Sequence, residues 1–224
     1  MPNSESDNRS QFLRPSPVNP LLPAGTAIAV FGQSRCGKST FLRELVRHAD
    51  RLLSTPPTRI EIYSRVEQAQ YASLRDERVA GVWEHFPLDL HNQPPDHLLV
   101  IIDDAMCALT TEERNALHRY VTGLCHHAQI TLAVSLQQIY ERNLRTIRLQ
   151  FEYHVLFACN TDRSTMQTLG RQLYPNKSKE FYAAYADATR EPYGYLVYCA
   201  APHAPDRYRL RARLTDYASI VYDV

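Results

Sequence analysis

No apolar run in the chain approaches the ~20 residues that a membrane-spanning helix needs, and the first residues lack the charged-then-apolar character of a secretory signal. No C-x-x-C pair occurs. The five cysteines, at positions 36, 107, 125, 159 and 199, stand singly. An odd count without metal-ligand spacing argues against a disulfide frame or a zinc site, and for reduced thiols inside a cell. Charge of one sign is also lacking: the formal net charge is +1. With no global basic field, any nucleic-acid partner has to be held by a local patch. Internal repeats are absent as well.

What is present fits one folded unit. A chain of 224 residues, 44% hydrophobic and 22% charged, can bury a full α/β core and is too short for two ordinary domains. Residues 1–23 carry Pro2, Pro15, Pro17, Pro20 and Pro23 among Ser, Asn and Asp, a composition that predicts a flexible tail. Residues 24–224 are then the domain.

That domain is organised around Gly32-Gln33-Ser34-Arg35-Cys36-Gly37-Lys38-Ser39, which fits G-x-x-x-x-G-K-[ST] at every fixed position. Apolar Thr26–Phe31 ahead of it reads as a buried parallel strand. Behind it, Phe41, Leu42, Leu45 and Val46 share one face of a helix. A strand–loop–helix of this kind turns backbone N–H groups and a positive helix end toward an anion. Residues Gly32 to Thr40 are therefore candidates to cradle a nucleotide's phosphates, with Lys38 reaching the β- and γ-phosphates and Ser39 ligating Mg²⁺. ATP and Mg²⁺ are the expected ligands; no N-K-x-D string is present to read guanine.

Five apolar residues, Leu98 to Ile102, end in Asp103 and Asp104. A buried strand would deliver Asp103 beside the loop to hold Mg²⁺, and Asp104 is the candidate to polarise water. An acidic pair is also simply what a strand exit can look like. Gln129–Ser135 reads as the next buried strand. Gln137 just beyond it suits a γ-phosphate sensor, or a polar residue entering a loop. Adjacent His126 and His127 point apart with no third ligand spaced nearby, so they read as surface histidines. Helices are expected over 65–77, 110–125, 164–174 and 179–189, and strands over 59–63, 79–83, 153–157 and 193–198. Residues 208–214 alternate like an edge strand with its arginines on one face. Such alternation predicts an α/β, P-loop NTPase architecture, a mostly parallel sheet flanked by helices, with additional C-terminal strands.

Several strings in order resemble one family. Cys125-His126-His127 through Gln137, Arg145 to Leu149, Tyr153 to Phe157 and Asp162 are similar to viral DNA-packaging ATPases of the FtsK-HerA superfamily. So are Leu169-Gly-Arg171-Gln-Leu-Tyr-Pro175, Ala184 to Thr189 and Pro192-Tyr-Gly194-Tyr-Leu196, and the versions in poxvirus-like, adintovirus and Polinton-type elements look most alike. The resemblance covers Pro23 to Leu214. It implies an ATP-driven motor that threads double-stranded DNA into a capsid, self-associated as a ring, meeting a capsid protein and no membrane. The implied place of work is the host nucleus or the site of virion assembly. Asp104 is carried over as the water activator, Gln137 as the sensor, and Arg145 or Arg171 as the finger entering a neighbour's site.

The chain departs from the pattern at four positions. Asp104 stands where many members have Glu, Thr161 where relatives often carry Arg, and Gln150 and Glu152 replace Asn and His. Between Glu141 and Arg213 there are 12 Lys and Arg against 7 Asp and Glu, a modest surplus for a duplex-binding face. The alternatives are a nucleotide or small-molecule kinase, and a nucleotide-binding interaction protein that does not hydrolyse.

Overall fold

Strands buried on both faces need helices on both sides of the sheet, and that is how this chain is built. The computed structural model describes residues 13–15, 22–65, 68–90, 96–103, 109–140, 144–216 and 218–224. Its strands are β1 (Leu13–Pro15), β2 (Ala27–Phe31), β3 (Arg59–Ser64), β4 (Val79–Trp83), β5 (Leu98–Asp103), β6 (Ile130–Leu136), β7 (Tyr153–Phe157), β8 (Tyr195–Cys199), β9 (Leu210–Ala212) and β10 (Ile220–Tyr222). Among the described residues they form one sheet in the order β1-β10-β9-β8-β7-β2-β6-β5-β3-β4. From β7 to β4 every pairing is parallel; from β1 to β7 every pairing is antiparallel.

Every residue of β2, β5, β6 and β7 is buried, so the near-continuous apolar runs of the sequence are accounted for. Period-two alternation splits each run between two cores. Ile28 and Val30 of β2 face a core that includes Leu42, Leu45 and Val46 of helix α1 (Lys38–Arg47). Ala27, Ala29 and Phe31 face the other. There they meet α4 (Thr111–Arg119), α7 (Arg163–Leu173) and α8 (Ser178–Ala188) through Ala116, Met166 and Phe181. The shorter helices are α2 (Ala49–Leu52), α3 (Gln68–Tyr71), α5 (Cys125–His127) and α6 (Arg145–Arg148).

Local chemistry starts and stops these helices. Thr110 Oγ1 accepts from the Glu113 amide at 3.2 Å while the Thr110 amide donates to Glu113 Oε2 at 2.8 Å, a reciprocal cap on α4. The helix expected over 110–125 passes through a π-helical turn, Tyr120–Leu124, before α5. The Tyr120 hydroxyl donates to the Pro87 carbonyl at 2.6 Å there.

Three expectations need correction. Among the described residues of the helix expected over 65–77, helix is confined to the single turn of α3, after which the chain turns toward β4. The strand near residue 210 is not an edge: β9 lies between β8 and β10, and Arg211 is buried. Its guanidinium carbon lies 6.0 Å from the Tyr153 ring centre, and burial lowers its pKa. Alternation was the wrong guide because β10, beyond the last arginine, supplies a further neighbour. Finally, part of the expected tail is structured. Leu13–Pro15 pairs with β10, and buried Leu22 exchanges backbone hydrogen bonds with Leu52 and Ser54. The exposed amides of an outer strand offer a short segment partners even where its composition could not build a core.

Candidate functional site

The strand β2 ends at Phe31, and the Gly32 amide still donates to Leu136 at 3.2 Å before the chain leaves the sheet. Gly32 is required by close approach: a Cβ there would lie 2.4 Å from Cys36 Sγ and 2.8 Å from Phe157 Cβ. Gly37 is required by conformation, with φ of 113° at the start of α1. Arg35 adopts φ of 63°, an uncommon state for a side-chain-bearing residue. These turns fold the loop onto itself so that it ends on the first turn of α1. Glycine has no side chain with which to cap that turn, and its first amides face whatever the loop encloses.

Lys38 is only 6% exposed. Its ammonium donates to the Gly32 carbonyl at 2.7 Å and the Gln33 carbonyl at 3.0 Å. Its charge is thus stationed inside the loop. Burial raises the pKa of the neighbouring Cys36 thiol, although Lys38 pulls the other way. Cys36 Sγ packs against the Gly32 backbone, where a Cβ would have no room.

Asp103 reaches the same end of the sheet through strand register. Val30 lies opposite Ser135, and Ile102 opposite Val134, so Asp103 is level with Ser135 across β6. At about 4.8 Å between strands, its backbone is two strand spacings from β2 and level with the base of the loop. The carboxylate is 2% exposed. Ser135 Oγ donates to Oδ1 at 2.6 Å and the Tyr71 hydroxyl donates to Oδ2 at 2.7 Å. Asp103 is therefore buried but well partnered, as a buried charge must be. Asp104 lies outside the described residues.

Gln137 is exposed just past β6 and lines a cavity of about 460 Å³ together with Gly32, Gln33 and Ser34. The opposite wall comes from the exit of β7. Thr161 Oγ1 donates to the side-chain oxygen of Gln33 at 3.3 Å, and Asp162 caps α7 by accepting from the Thr165 amide. The Tyr185 hydroxyl fixes that exit, donating to the Phe157 carbonyl and accepting from the Cys159 amide, both at 2.9 Å. Burial pushes the pKa of Tyr185 up to about 12, so it stays a neutral donor.

The loop and Gln137 thus share one cavity, with Asp103 level at its base. Ser39 is half-buried and Thr40 exposed in the first turn of α1. Arg145 on α6 and Arg171 on α7 are exposed and form no part of that cavity's wall. His126 and His127 are exposed, and among the described residues no three His, Cys, Asp or Glu side chains cluster as metal ligands. The serine hydroxyl and carboxylate suit a hard cation such as Mg²⁺, which takes most of its ligands from phosphate and water. Sequence reasoning missed Tyr71 and Ser135. A polar Ser135 near the end of a largely apolar strand was a legible signal; Tyr71, on a single helical turn after β3, gave none.

No protein-family model and no curated protein matches this chain. Two solved structures of the genome packaging NTPase B204 from Sulfolobus turreted icosahedral virus 2 are similar in fold. The complex with AMP has a TM-score of 0.52 at 15% identity, covering 84% of this chain and 96% of that one. The complex with ATP-gammaS has a TM-score of 0.51 at 16% identity, covering 80% and 94%. At such identity the likeness is one of architecture: the chain has a P-loop NTPase fold, an α/β sheet flanked by helices.

Proposed function

We propose that this protein hydrolyses ATP and uses the energy to move double-stranded DNA during genome packaging, as a motor of the FtsK-HerA superfamily. The observation that carries the reading is the convergence of three strand ends. The phosphate loop follows β2, Gln137 follows β6, and Asp103 ends β5, with β6 between the other two strands. A fold shared with a genome packaging NTPase, known in complex with AMP and ATP-gammaS, supports the same reading.

The roles follow from the chemistry of each group. The loop amides from Gly32 to Thr40 and the start of α1 hold the phosphates. Lys38 exchanges its two carbonyl acceptors for oxygens of the β- and γ-phosphates. Ser39 and Asp103 are the residues that would hold Mg²⁺, Asp103 being kept in place by Tyr71 and Ser135. The ion's contribution, when bound, is to neutralise charge on the phosphates. Asp104 orients the attacking water, and Gln137 contacts that water or the terminal phosphate from across the shared cavity. Arg145 or Arg171 acts from a neighbouring subunit, which makes a ring part of the reading. DNA is gripped through its phosphates, because a motor must not depend on sequence. Capsid protein is the partner at the other end of the task, with viral assembly sites as the place of work.

The test is ATP hydrolysis by the full chain with and without double-stranded DNA, with particle mass recorded alongside. DNA-stimulated phosphate release from an oligomer is expected. Phosphate transfer to a small acceptor, indifferent to DNA, would instead indicate a kinase.

A further inference from the structure

Two cavities flank the phosphate loop. The first, beside Gly32 to Ser34, holds Gln137 and lies on the side where Lys38 Nζ is tethered. The second, about 320 Å³, lies on the Gly37–Thr40 side and extends to Tyr193, Tyr195 and Arg213. A triphosphate lying in the loop has two unlike ends. The terminal phosphate belongs with the lysine and the polar residues of the first cavity, so the other end leaves toward the second.

Resting on the phosphate-loop reading, we propose that this second cavity receives the nucleoside, with the ring of Tyr193 stacking on its base.

Tyr193 is 66% exposed, unusual for so large a ring at a cavity rim. It touches the loop directly: a Cβ placed on Gly37 would lie 3.0 Å from Tyr193 Cδ1. Its φ of 64° is a state that bulky residues avoid. Among the described residues four non-glycine positions have positive φ, and two of them, Tyr193 and Arg213, line this cavity. Strain of that kind persists where the surroundings over-determine it, and it gathers at ligand clamps. The backing is rigid. Phe41, Phe157 and Tyr195 form an aromatic cluster behind the cavity, with Tyr195 at 5.0 Å from Phe41 and 5.4 Å from Phe157, centre to centre. The Tyr195 hydroxyl is in turn held by the Thr215 amide at 3.1 Å. An exposed aromatic face over a fixed floor suits a planar base, and stacking of this type tolerates any base.

The test compares binding of Mg²⁺-ATP with binding of Mg²⁺-tripolyphosphate, which has no nucleoside, to the full chain. Tyr193→Gly removes the ring and fits the backbone at φ of 64°, so the fold should hold, as a thermal melt will register. Its ATP affinity should fall about 5- to 150-fold, the range of base–aromatic stacking, while tripolyphosphate affinity stays put. Tyr193→Phe should bind ATP within about 2-fold of wild type, because the face and not the hydroxyl does the stacking. Equal loss of both ligands would mean that Tyr193 only props Gly37, and unchanged ATP affinity would mean that the base lies elsewhere; either result overturns the proposal. Failure of tripolyphosphate to bind the wild-type chain strikes instead at the phosphate-loop reading beneath it.

Discussion

The two halves of the sheet do different work with the same residue types. In the parallel half, β7-β2-β6-β5-β3-β4, all the carboxyl ends lie on one side, so Gly32, Gln137 and Asp103 arrive together without any of them being adjacent in sequence. In the antiparallel half, β8 to β10 and β1 reverse at every step, so their carboxyl ends alternate between the two sides of the sheet. That half supplies mass: a buried arginine, a core shared with α8, and one wall of the cavity beside Gly37. The lesson is that strand direction, and not strand composition, decides which apolar run carries chemistry.

Substitutions can set one half against the other. Lys38→Ala, in the parallel half, should cut ATP turnover by at least about 10²-fold, the scale of losing one preorganised charge partner, while the melting temperature barely moves. Turnover near the wild-type rate would remove the chemistry from this half altogether. Leu210→Ala, in β9, should do the reverse. That side chain is 1% exposed, and its truncation should cost about 2–5 kcal/mol in a denaturant titration. ATP turnover per folded molecule should be unchanged, and a large loss there would show that the antiparallel half is coupled to the site.

A third measurement probes the seam, where β7 pairs with β2 on one side and β8 on the other. His154 on β7 stacks on Phe31 of β2, with ring centres 5.8 Å apart, and its Nε2 lies 3.1 Å from the Phe151 carbonyl. Burial lowers its pKa to about 4 from 6.5. The folded state therefore binds fewer protons than the unfolded one between these values. Its contribution is fully present above the unfolded pKa and is lost as pH falls from 6.5 toward 4. Unfolding free energy should decline by up to about 3 kcal/mol over that window, and His154→Gln should flatten the decline. Equal slopes in both proteins would assign the acid sensitivity to other groups.

Much of the parallel half was legible because burial on both faces writes itself as continuous or near-continuous apolar runs: Ala27–Phe31, Leu98–Ile102 and Ile130–Leu136. The phosphate loop was legible because Gly37 must adopt a backbone angle that few residues tolerate. The antiparallel half was harder to read. Arg211 looks like a surface residue in the sequence, and only the neighbouring strands show that it is enclosed. The clamp on Asp103 was half hidden, since Ser135 stands in a strand while Tyr71 acts across 32 positions in the chain. Long-range partnerships of single side chains leave no periodic mark.

The pairing of Leu13–Pro15 with β10 has a practical consequence for anyone handling this molecule. That segment shields a row of amides and carbonyls that would otherwise be open to any extended peptide. Trimming the first twenty positions, or attaching a bulky fusion there, would bare the rim and invite a strand from another copy. Preparations shortened at this end should consequently self-associate through a contact that the intact chain keeps covered.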